Sequence, residues 1–280
     1  MAPKVVHICG PERGGKTTIA RLIARGCHGP SAALVRFEPQ PQGGTDAAMS
    51  AEPPEDWATR FRFRYAPDRL FEQVPLAVRD VGPTGRAGLI LLETNADPGF
   101  RLAHPYDLRV FVMGVPRFVD EVFRSPDETQ DALRRAFQDT GAFASEVFGL
   151  TRAPDLDDSR SGLILGTLSE TRRPLSDEEL EQVMTTALGS EISARLRLRP
   201  GYHALLDADV AVLNCGLGGA GETIEVCSRR IERLITAMPQ GARPRPRFFS
   251  CDPLDPHDPL TVQLFGAILA GLAGAGAGRA

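Results

Sequence analysis

A run of eight residues near the start of the chain has the composition of a phosphate-binding loop. Gly10 to Thr17, GPERGGKT, matches the pattern GxxxxGK followed by Ser or Thr at every position. Glycines let successive backbone amides converge on one phosphate, and the N-terminus of the next helix adds partial positive charge. In this pattern Lys16 reaches the β- and γ-phosphates and the Thr17 hydroxyl is a ligand of Mg²⁺. The predicted nucleotide contacts are Gly10, Pro11, Glu12, Arg13, Gly14, Gly15, Lys16, Thr17 and Thr18.

Acidic side chains at the ends of two predicted strands are candidates for the metal site. Glu93 follows the apolar run GLILL, and Glu38 follows a second predicted strand over 33–37. A carboxylate is needed to hold Mg²⁺ through its water shell or to orient the attacking water. Asp97 is a third candidate, and a strand-terminal Glu can also be a solvated cap. The predicted catalytic residues are Lys16, Glu93 and Glu38, and the predicted metal ligands are Thr17 and Glu93.

Asn214 ends another predicted strand, over 209–213, and is a candidate contact for the nucleotide base. Its amide has the donor and acceptor needed for a purine edge, but a turn-forming Asn in a glycine-rich loop is the alternative. In guanine-specific enzymes the Asn is followed by Lys-x-Asp, whose carboxylate pairs with guanine. Cys215 and Leu217 hold those positions here. We therefore predict ATP in preference to GTP, bound with Mg²⁺.

The order of the remaining elements indicates the α/β class. Strands that alternate with helices are typical of a parallel sheet. We predict a mostly parallel sheet with helices on both faces, the fold of P-loop NTPases, with a helical insertion. The predicted domains are a core over 1–116 and 205–272, a helical insertion or lid over 117–204, and a flexible tail over 273–280. The predicted strands lie at 5–9, 33–37, 88–92, 107–113, 209–213 and 247–249, and the predicted helices at 17–25, 117–138, 174–189, 220–237 and 258–272.

Two contrasting patterns lie between the second strand and residue 65. The polar, Pro-rich stretch from 38 to 56 predicts a mobile loop. Phe61, Phe63 and Tyr65 then alternate with arginines, the period of a half-exposed strand. The helix predicted over 174–189 begins with Ser176 and Glu179, at the spacing of a capping box.

Composition excludes several classes of protein. With 280 residues, 42% hydrophobic content and a net charge of −4, the chain can bury a core and lacks the basic excess of a nucleic-acid binder. Its 28 Gly and 23 Pro indicate many turns. Five cysteines without a CxxC pair favour a reducing compartment. No stretch reaches the roughly 18 apolar residues of a membrane span, so we expect a cytoplasmic protein that has no membrane span and does not bind nucleic acid.

The phosphate-binding loop, together with GLILLETNADP, DLRVFVMG, LLDADVAVLNCG and FFSCDPLDPHDPL, resembles the SIMIBI class of P-loop NTPases. Within that class the chain is most similar to the urease- and hydrogenase-maturation GTPases and to the chaperones of cobalamin enzymes. The resemblance covers 4–37, 86–116 and 205–272, without the Asn-Lys-x-Asp motif of these families. It implies a dimeric nucleotide switch that coordinates metal or cofactor insertion, with Lys16, Thr17 and Glu93 at matched positions.

Three functions are consistent with these observations. The preferred one is a nucleoside-triphosphate hydrolase that acts as a conformational switch or maturation factor, with a protein partner or a homodimer. In it, Lys16 and Mg²⁺-bound Thr17 stabilise in-line attack of water on the γ-phosphate. The second is a small-molecule kinase or ligase, and the third a non-hydrolysing, nucleotide-dependent interaction module. The candidate lid arginines of the second function are Arg124, Arg134, Arg135, Arg172 and Arg173.

Overall fold

The chain divides into two compact units. The first comprises 1–115, 207–219 and 246–280, and the second comprises 116–206 and 220–245. The second unit includes 220–245, a segment predicted from the sequence to belong to the core. The structure, a computed structural model, describes residues 3–26, 32–40, 48–66, 70–85, 88–95, 106–138, 175–218, 221–239 and 244–274.

An eight-stranded sheet forms the centre of the first unit. Its spatial order is β3-β4-β2-β5-β1-β6-β7-β8, and every neighbouring pair is parallel except β3 with β4. The predicted α/β class with a mostly parallel sheet is confirmed. The strands are β1 (Lys4–Cys9), β2 (Ala32–Pro39), β3 (Ala48–Glu55), β4 (Ala58–Tyr65), β5 (Leu89–Glu93), β6 (Leu108–Gly114), β7 (Val210–Asn214) and β8 (Arg247–Cys251).

Helices cover both faces of this sheet. In the first unit these are α1 (Lys16–Gly26), α2 (Leu70–Gly85) and α7 (Pro259–Gly274); the second unit contains α3 (Pro126–Gln138), α4 (Asp177–Leu188), α5 (Ser190–Arg197) and α6 (Gly221–Ala237). Val6 and Ile8 of β1 pack in one cluster with α1 and α7, whereas Val5 packs in another cluster with α2. Because β1 is buried on both faces, its sequence is a continuous apolar run, as are those of β5 and β6. Within the described ranges, no helix has both the length and the apolar character to cross a membrane.

The prediction of a mobile loop over 38–56 is wrong for Ala48–Glu55, which form the strand β3. This strand forms an edge of the sheet, antiparallel to β4, and its register shifts between Glu52 and Glu55, where two prolines interrupt it. Prolines are tolerated on an edge strand because one row of its amides has no partner strand. Glu52 also pairs with Arg60 at 3.2 Å and with Arg62 at 2.7 Å. The pairing therefore comes from β4, which the local composition of β3 does not reveal.

The alternation of aromatic residues and arginines correctly predicts β4. Phe63 and Tyr65 are buried against α2, while Arg60 and Arg62 project from the other face. The arginine side chains are not simply solvated, since both are held by the carboxylate of Glu52. Opposite charges on adjacent strands contribute to the pairing of an edge that would otherwise be weak.

Two helices of the second unit, α3 and α4, begin at capping residues. The capping box of Ser176 and Glu179 at the start of α4 is confirmed. The helix predicted over 117–138 forms only from Pro126 onward, where Ser125 and Glu128 make a second capping arrangement through bonds of 2.9 and 3.2 Å. Before it lie a single 3₁₀ turn and an isolated bridge, because a serine cap followed by proline starts a new helix. The helix α5 was not predicted.

His203 is a buried polar residue of the second unit. Its Nε2 donates to the carbonyl oxygen of Leu198 at 3.1 Å. Burial lowers the pKa of His203 to about 4, because the imidazolium loses its hydration, and Arg195 and Arg124 add a smaller effect in the same direction. The side chain is therefore neutral in the fold at neutral pH.

The lowered pKa of His203 makes stability depend on pH. The unfolded chain takes up a proton near the ordinary pKa of 6.5, whereas the folded chain does so only near 4. The contribution of neutral His203 to the free energy of unfolding is therefore fully present above pH 6.5. It is lost as the pH is lowered towards 4, by at most about 3 kcal/mol.

Urea titrations followed by far-UV circular dichroism at a series of pH values measure this loss. The His203→Gln variant should lose less stability over the same range, and the exposed-site control His257→Gln should behave like the wild type. Parallel curves for His203→Gln and wild type would contradict the assignment.

Candidate functional site

The carboxyl ends of the central strands define where a ligand can bind. The chain leaves β1 towards β2 on one side of the sheet and leaves β6 towards β7 on the other. Ligands of open α/β sheets bind outside the strand ends at such a reversal point. The run from Gly10 to Thr17 follows β1 directly, so the loop predicted from the sequence lies at this position.

The backbone of the loop depends on its glycines. Gly10 and Gly15 have φ values of 146° and 92°, and Arg13 adopts 58°. A Cβ added to Gly10 would lie 1.9 Å from the carbonyl oxygen of Val112 in β6, and one added to Gly14 would lie 2.8 Å from it. The loop therefore passes so close to β6 that a side chain at either position would displace it.

The other predicted contact residues lie on the loop tip and at the start of α1. Glu12 and Arg13 are exposed, so their side chains are accessible to a ligand. The Pro11 carbonyl accepts from the amide of Gly14 at 3.4 Å, and the amide of Thr18 donates to Gly15 at 3.0 Å. The first bond closes a turn within the loop, and the second belongs to the first turn of α1.

Asn214 fastens the loop to β7. The side chain is fully buried, its Nδ2 donates to Gly14 O at 3.3 Å, and its Oδ1 accepts from the amide of Gly216 at 3.1 Å. A Cβ on Gly15 would approach Nδ2 to 2.1 Å. Both polar ends of the amide are thus used within the protein, which is the turn-forming alternative predicted from the sequence. Its contact with a nucleotide base stays a prediction.

Lys16 is folded back into the loop that precedes it. Its Nζ donates to the carbonyl oxygens of Gly10 at 3.0 Å and Pro11 at 2.7 Å, and to Asn95 Oδ1 at 3.4 Å. Burial lowers the pKa of Lys16, while the charge of Glu93 opposes this shift. Asn95 was not predicted, although it stands in the polar stretch that follows β5.

Thr17, Glu93 and Arg36 meet beside Lys16. The Thr17 hydroxyl donates to the Glu93 carboxylate, with oxygen distances of 3.1 and 3.3 Å, and accepts from an Arg36 Nη at 3.1 Å. Arg36 Nε lies 3.8 Å from Glu93 Oε1. The register explains the meeting, since Glu93 of β5 lies opposite both Ile8 of β1 and Arg36 of β2. Arg36 was missed, and its signal is a charge inside the apolar run ALVRF.

These residues fit a Mg²⁺ ion. Thr17 and Glu93 supply oxygen atoms, the ligand type that Mg²⁺ requires, and the ion commonly takes only one or two protein ligands beside water and phosphate. The Thr17 proton points to the carboxylate, so a lone pair of the oxygen can face a cation. Among the described residues no group of three His, Cys, Asp or Glu side chains could hold a metal ion. Water or nucleotide phosphate oxygens would supply the remaining ligands.

The other acidic candidates do not join this cluster in the described contacts. Glu38 lies on β2 two residues beyond Arg36, and its ion pair is with Arg62, at 3.6 Å. Its side chain is 44% exposed. A catalytic role for Glu38 stays a prediction, and Asp97 lies outside the described residues.

A buried polar cluster lies directly behind the site. Arg109 Nε donates to His7 Nδ1 at 3.3 Å, so Nε2 carries the ring proton and donates to Thr94 Oγ1 at 2.8 Å. The Arg109 guanidinium also lies 4.7 Å from the ring centre of Tyr106. Burial, with a contribution from Arg109, holds the pKa of His7 well below its ordinary value. The cluster fixes Thr94, the residue immediately after Glu93.

The arginines proposed for an anion-clamping lid are only partly described. Arg124 is buried and donates to the carbonyl oxygen of Leu196 at 3.2 Å, within the second unit. This bond supports the packing of that unit. Arg135 lies exposed on α3. The side chain of Arg134, and Arg172 and Arg173, lie outside the described residues.

Comparison with known proteins gives no family assignment. The sequence matches no protein-family model, and no curated protein is detectably similar to it.

Alanine substitutions at two glycines test whether the close approach of the loop to Asn214 contributes to stability. Gly15 and Gly218 have similar φ values, 92° and 87°, but only at Gly15 would a Cβ meet other atoms. Gly218→Ala should cost about 1–2 kcal/mol from backbone strain alone. Gly15→Ala should lower the free energy of unfolding by clearly more, because it also displaces Asn214. Chemical denaturation of both variants gives the comparison, and equal losses would show that the contact is unimportant.

Proposed function

We propose that this protein is a nucleoside-triphosphate hydrolase of the P-loop class, whose nucleotide state acts as a conformational switch. The proposal rests above all on one observation. Lys16, Thr17 and Glu93 meet at the carboxyl ends of the adjacent parallel strands β1 and β5, directly after a glycine loop. A buried ammonium, a hydroxyl and a carboxylate in this arrangement match the needs of a bound triphosphate and its cation.

The use of lysine in this chain supports the same function. Of the 32 Lys and Arg residues, 30 are arginine, and the lysines are Lys4 and Lys16. A lysine ammonium is a compact point charge, whereas an arginine guanidinium is a wide planar fork. Lys16 is only 7% exposed and is enclosed by the carbonyl oxygens of its own loop. A compact charge suits this enclosure and can reach a phosphate from it.

Binding of a triphosphate would exchange the partners of Lys16. In the free protein its Nζ is satisfied by neutral carbonyl oxygens of Gly10 and Pro11. Phosphate oxygens are anionic and make stronger hydrogen bonds with an ammonium group. The partial burial that lowers the pKa of Lys16 increases the gain from an anionic partner. The loop amides and the N-terminus of α1 would hold the same phosphates.

Hydrolysis follows from positioning and charge stabilisation. A water molecule attacks the γ-phosphorus in line, the bond to the β–γ bridging oxygen breaks, and the nucleoside diphosphate leaves. Lys16 stabilises the charge that develops on the phosphate oxygens. When bound, Mg²⁺ neutralises charge on the phosphates. Thr17 and Glu93 would hold that ion, with Glu93 acting directly or through a water molecule. The cluster of His7 and Thr94 keeps the end of β5, and so Glu93, in place.

The proposal also includes the identity of the nucleotide base and the biological role of the protein. ATP is the expected nucleotide, because Leu217 stands where a guanine-reading carboxylate would be needed. Leu217 is apolar and 50% exposed, so it cannot pair with the guanine donors. The resemblance to maturation GTPases and cobalamin-enzyme chaperones suggests an accessory role in metal or cofactor insertion, with a protein partner or a second copy of the chain.

Substitution of Lys16 tests the proposed function. Lys16→Ala should reduce phosphate release from ATP by roughly 100-fold or more, because one preorganised charge on the transition state is lost. Lys16→Arg should fail as well, since the guanidinium does not fit the enclosure. Lys4→Ala, which removes an ion pair with Asp107 at the opposite end of β1, is the matched control and should retain activity.

Nucleotide binding by the same proteins completes the test. Mg²⁺-ATP should raise the melting temperature of the wild type by mass action, and less so for Lys16→Ala. If the wild type bound neither ATP nor GTP in calorimetry, the proposed function would be abandoned. A larger thermal shift with GTP would overturn only the preference for ATP.

A further inference from the structure

Arg36 is a charged residue in an otherwise apolar central strand. Its neighbours Val35 and Phe37 are buried, and its own side chain is 29% exposed. A cation at such a position is unfavourable unless nearby groups compensate its charge. The groups that do so are Thr17 and Glu93, the same two that would hold a metal ion.

The hydrogen bonds of Thr17 show which side of its oxygen the guanidinium uses. The single hydroxyl proton is donated to Glu93, so only lone pairs remain on the oxygen. Arg36 donates to one of these lone pairs at 3.1 Å. A metal ion bound to Thr17 would also need a lone pair of this oxygen. Arg36 therefore takes one of the two lone pairs through which Thr17 could bind a metal ion, and it places a positive charge on that side of the hydroxyl.

The charges lead to the same conclusion. Glu93 is the carboxylate that contacts Thr17, and it already faces Arg36, while Lys16 contributes a second positive charge nearby. A divalent cation added here would be repelled by both. This repulsion remains substantial in a partly buried site, where water screens charges weakly. Free Mg²⁺ would therefore have to displace the guanidinium before it could use Glu93.

The position of Arg36 also leaves a donor unused. Its Nε is buried and has no hydrogen-bond partner among the described residues, and the distance of 3.8 Å to Glu93 is that of an ion pair. A guanidinium can donate two parallel hydrogen bonds to the oxygen atoms of a phosphate group. A bound triphosphate would offer Arg36 such a partner and release the lone pair of Thr17.

We propose that Arg36 is the resident cation of this site in the nucleotide-free protein, and that it excludes free divalent metal from Thr17 and Glu93. Divalent metal is accepted only together with a nucleotide, whose phosphates attract the guanidinium away. This inference rests on the proposed function, since it assigns the regulation of the same site. Arg36 acts through the metal-holding residues and is a positioning residue.

The affinity of the nucleotide-free protein for Mn²⁺, measured by electron paramagnetic resonance, tests this inference. Wild type should bind Mn²⁺ weakly, and Arg36→Gln should bind it about tenfold more tightly or better, because the competing charge is removed. Arg36→Lys keeps the charge, and its Mn²⁺ affinity should stay close to that of the wild type.

Arg25→Gln is the matched control, since it removes one arginine of α1 whose partner is the exposed Asp56. Adding Glu93→Gln to Arg36→Gln should abolish the gain.

The possible outcomes separate this inference from the proposed function. Unchanged Mn²⁺ affinity in folded Arg36→Gln, or an equal gain in Arg25→Gln, overturns the inference. Circular dichroism establishes folding, and Arg36→Met, which keeps the apolar stem, replaces Arg36→Gln if that variant does not fold. Mg²⁺-ATP binding is measured on the same samples. Normal ATP binding with unchanged Mn²⁺ affinity removes only the role of Arg36, whereas absent ATP binding in wild type removes the proposed function.

Discussion

The hydrogen bond from Thr17 to Glu93 joins the first turn of α1 to the end of β5, 76 residues later in the chain. It depends on the parallel register of β1 and β5, which sets Ile8 opposite Glu93. A shift of one residue would turn Glu93 to the other face of the sheet. The site thus depends on the core, because β1 and β5 are buried on both faces and pack against helices there while they hold this register.

The site carries more positive than negative charge, and the protein compensates it internally. Lys16 is satisfied by loop carbonyls, Arg36 by Thr17 and Glu93, and Arg109 by His7 and the ring of Tyr106. Buried cations without partners would destabilise the fold. Each of these partners is neutral or singly charged, so an incoming polyanion would be the stronger partner. A preorganised excess of positive charge at the end of parallel strands is typical of phosphate recognition.

Some elements could be predicted from the sequence and others could not. The strands β1, β5, β6 and β7 are continuous apolar runs because both of their faces are buried, so they were recognised. The edge strand β3, with its two prolines, has no such pattern, because its pairing with β4 depends on ion pairs from Glu52. The start of α3 was placed too early, although Ser125 and Glu128 carry a capping signal.

The loop from Gly10 to Thr17 was determined by the sequence alone, because its glycines, lysine and threonine act through local backbone geometry. Glu93 was recognisable for a similar reason, as an acid that ends a buried strand. Only the tertiary structure decided which side chains meet them. Arg36, Asn95 and Asn214 contact the loop because of the strand order, the strand register and the close approach of β6 and β7. Local sequence patterns do not reveal these features. These contacts join residues far apart in the chain, and they decide how the charge of the site is balanced.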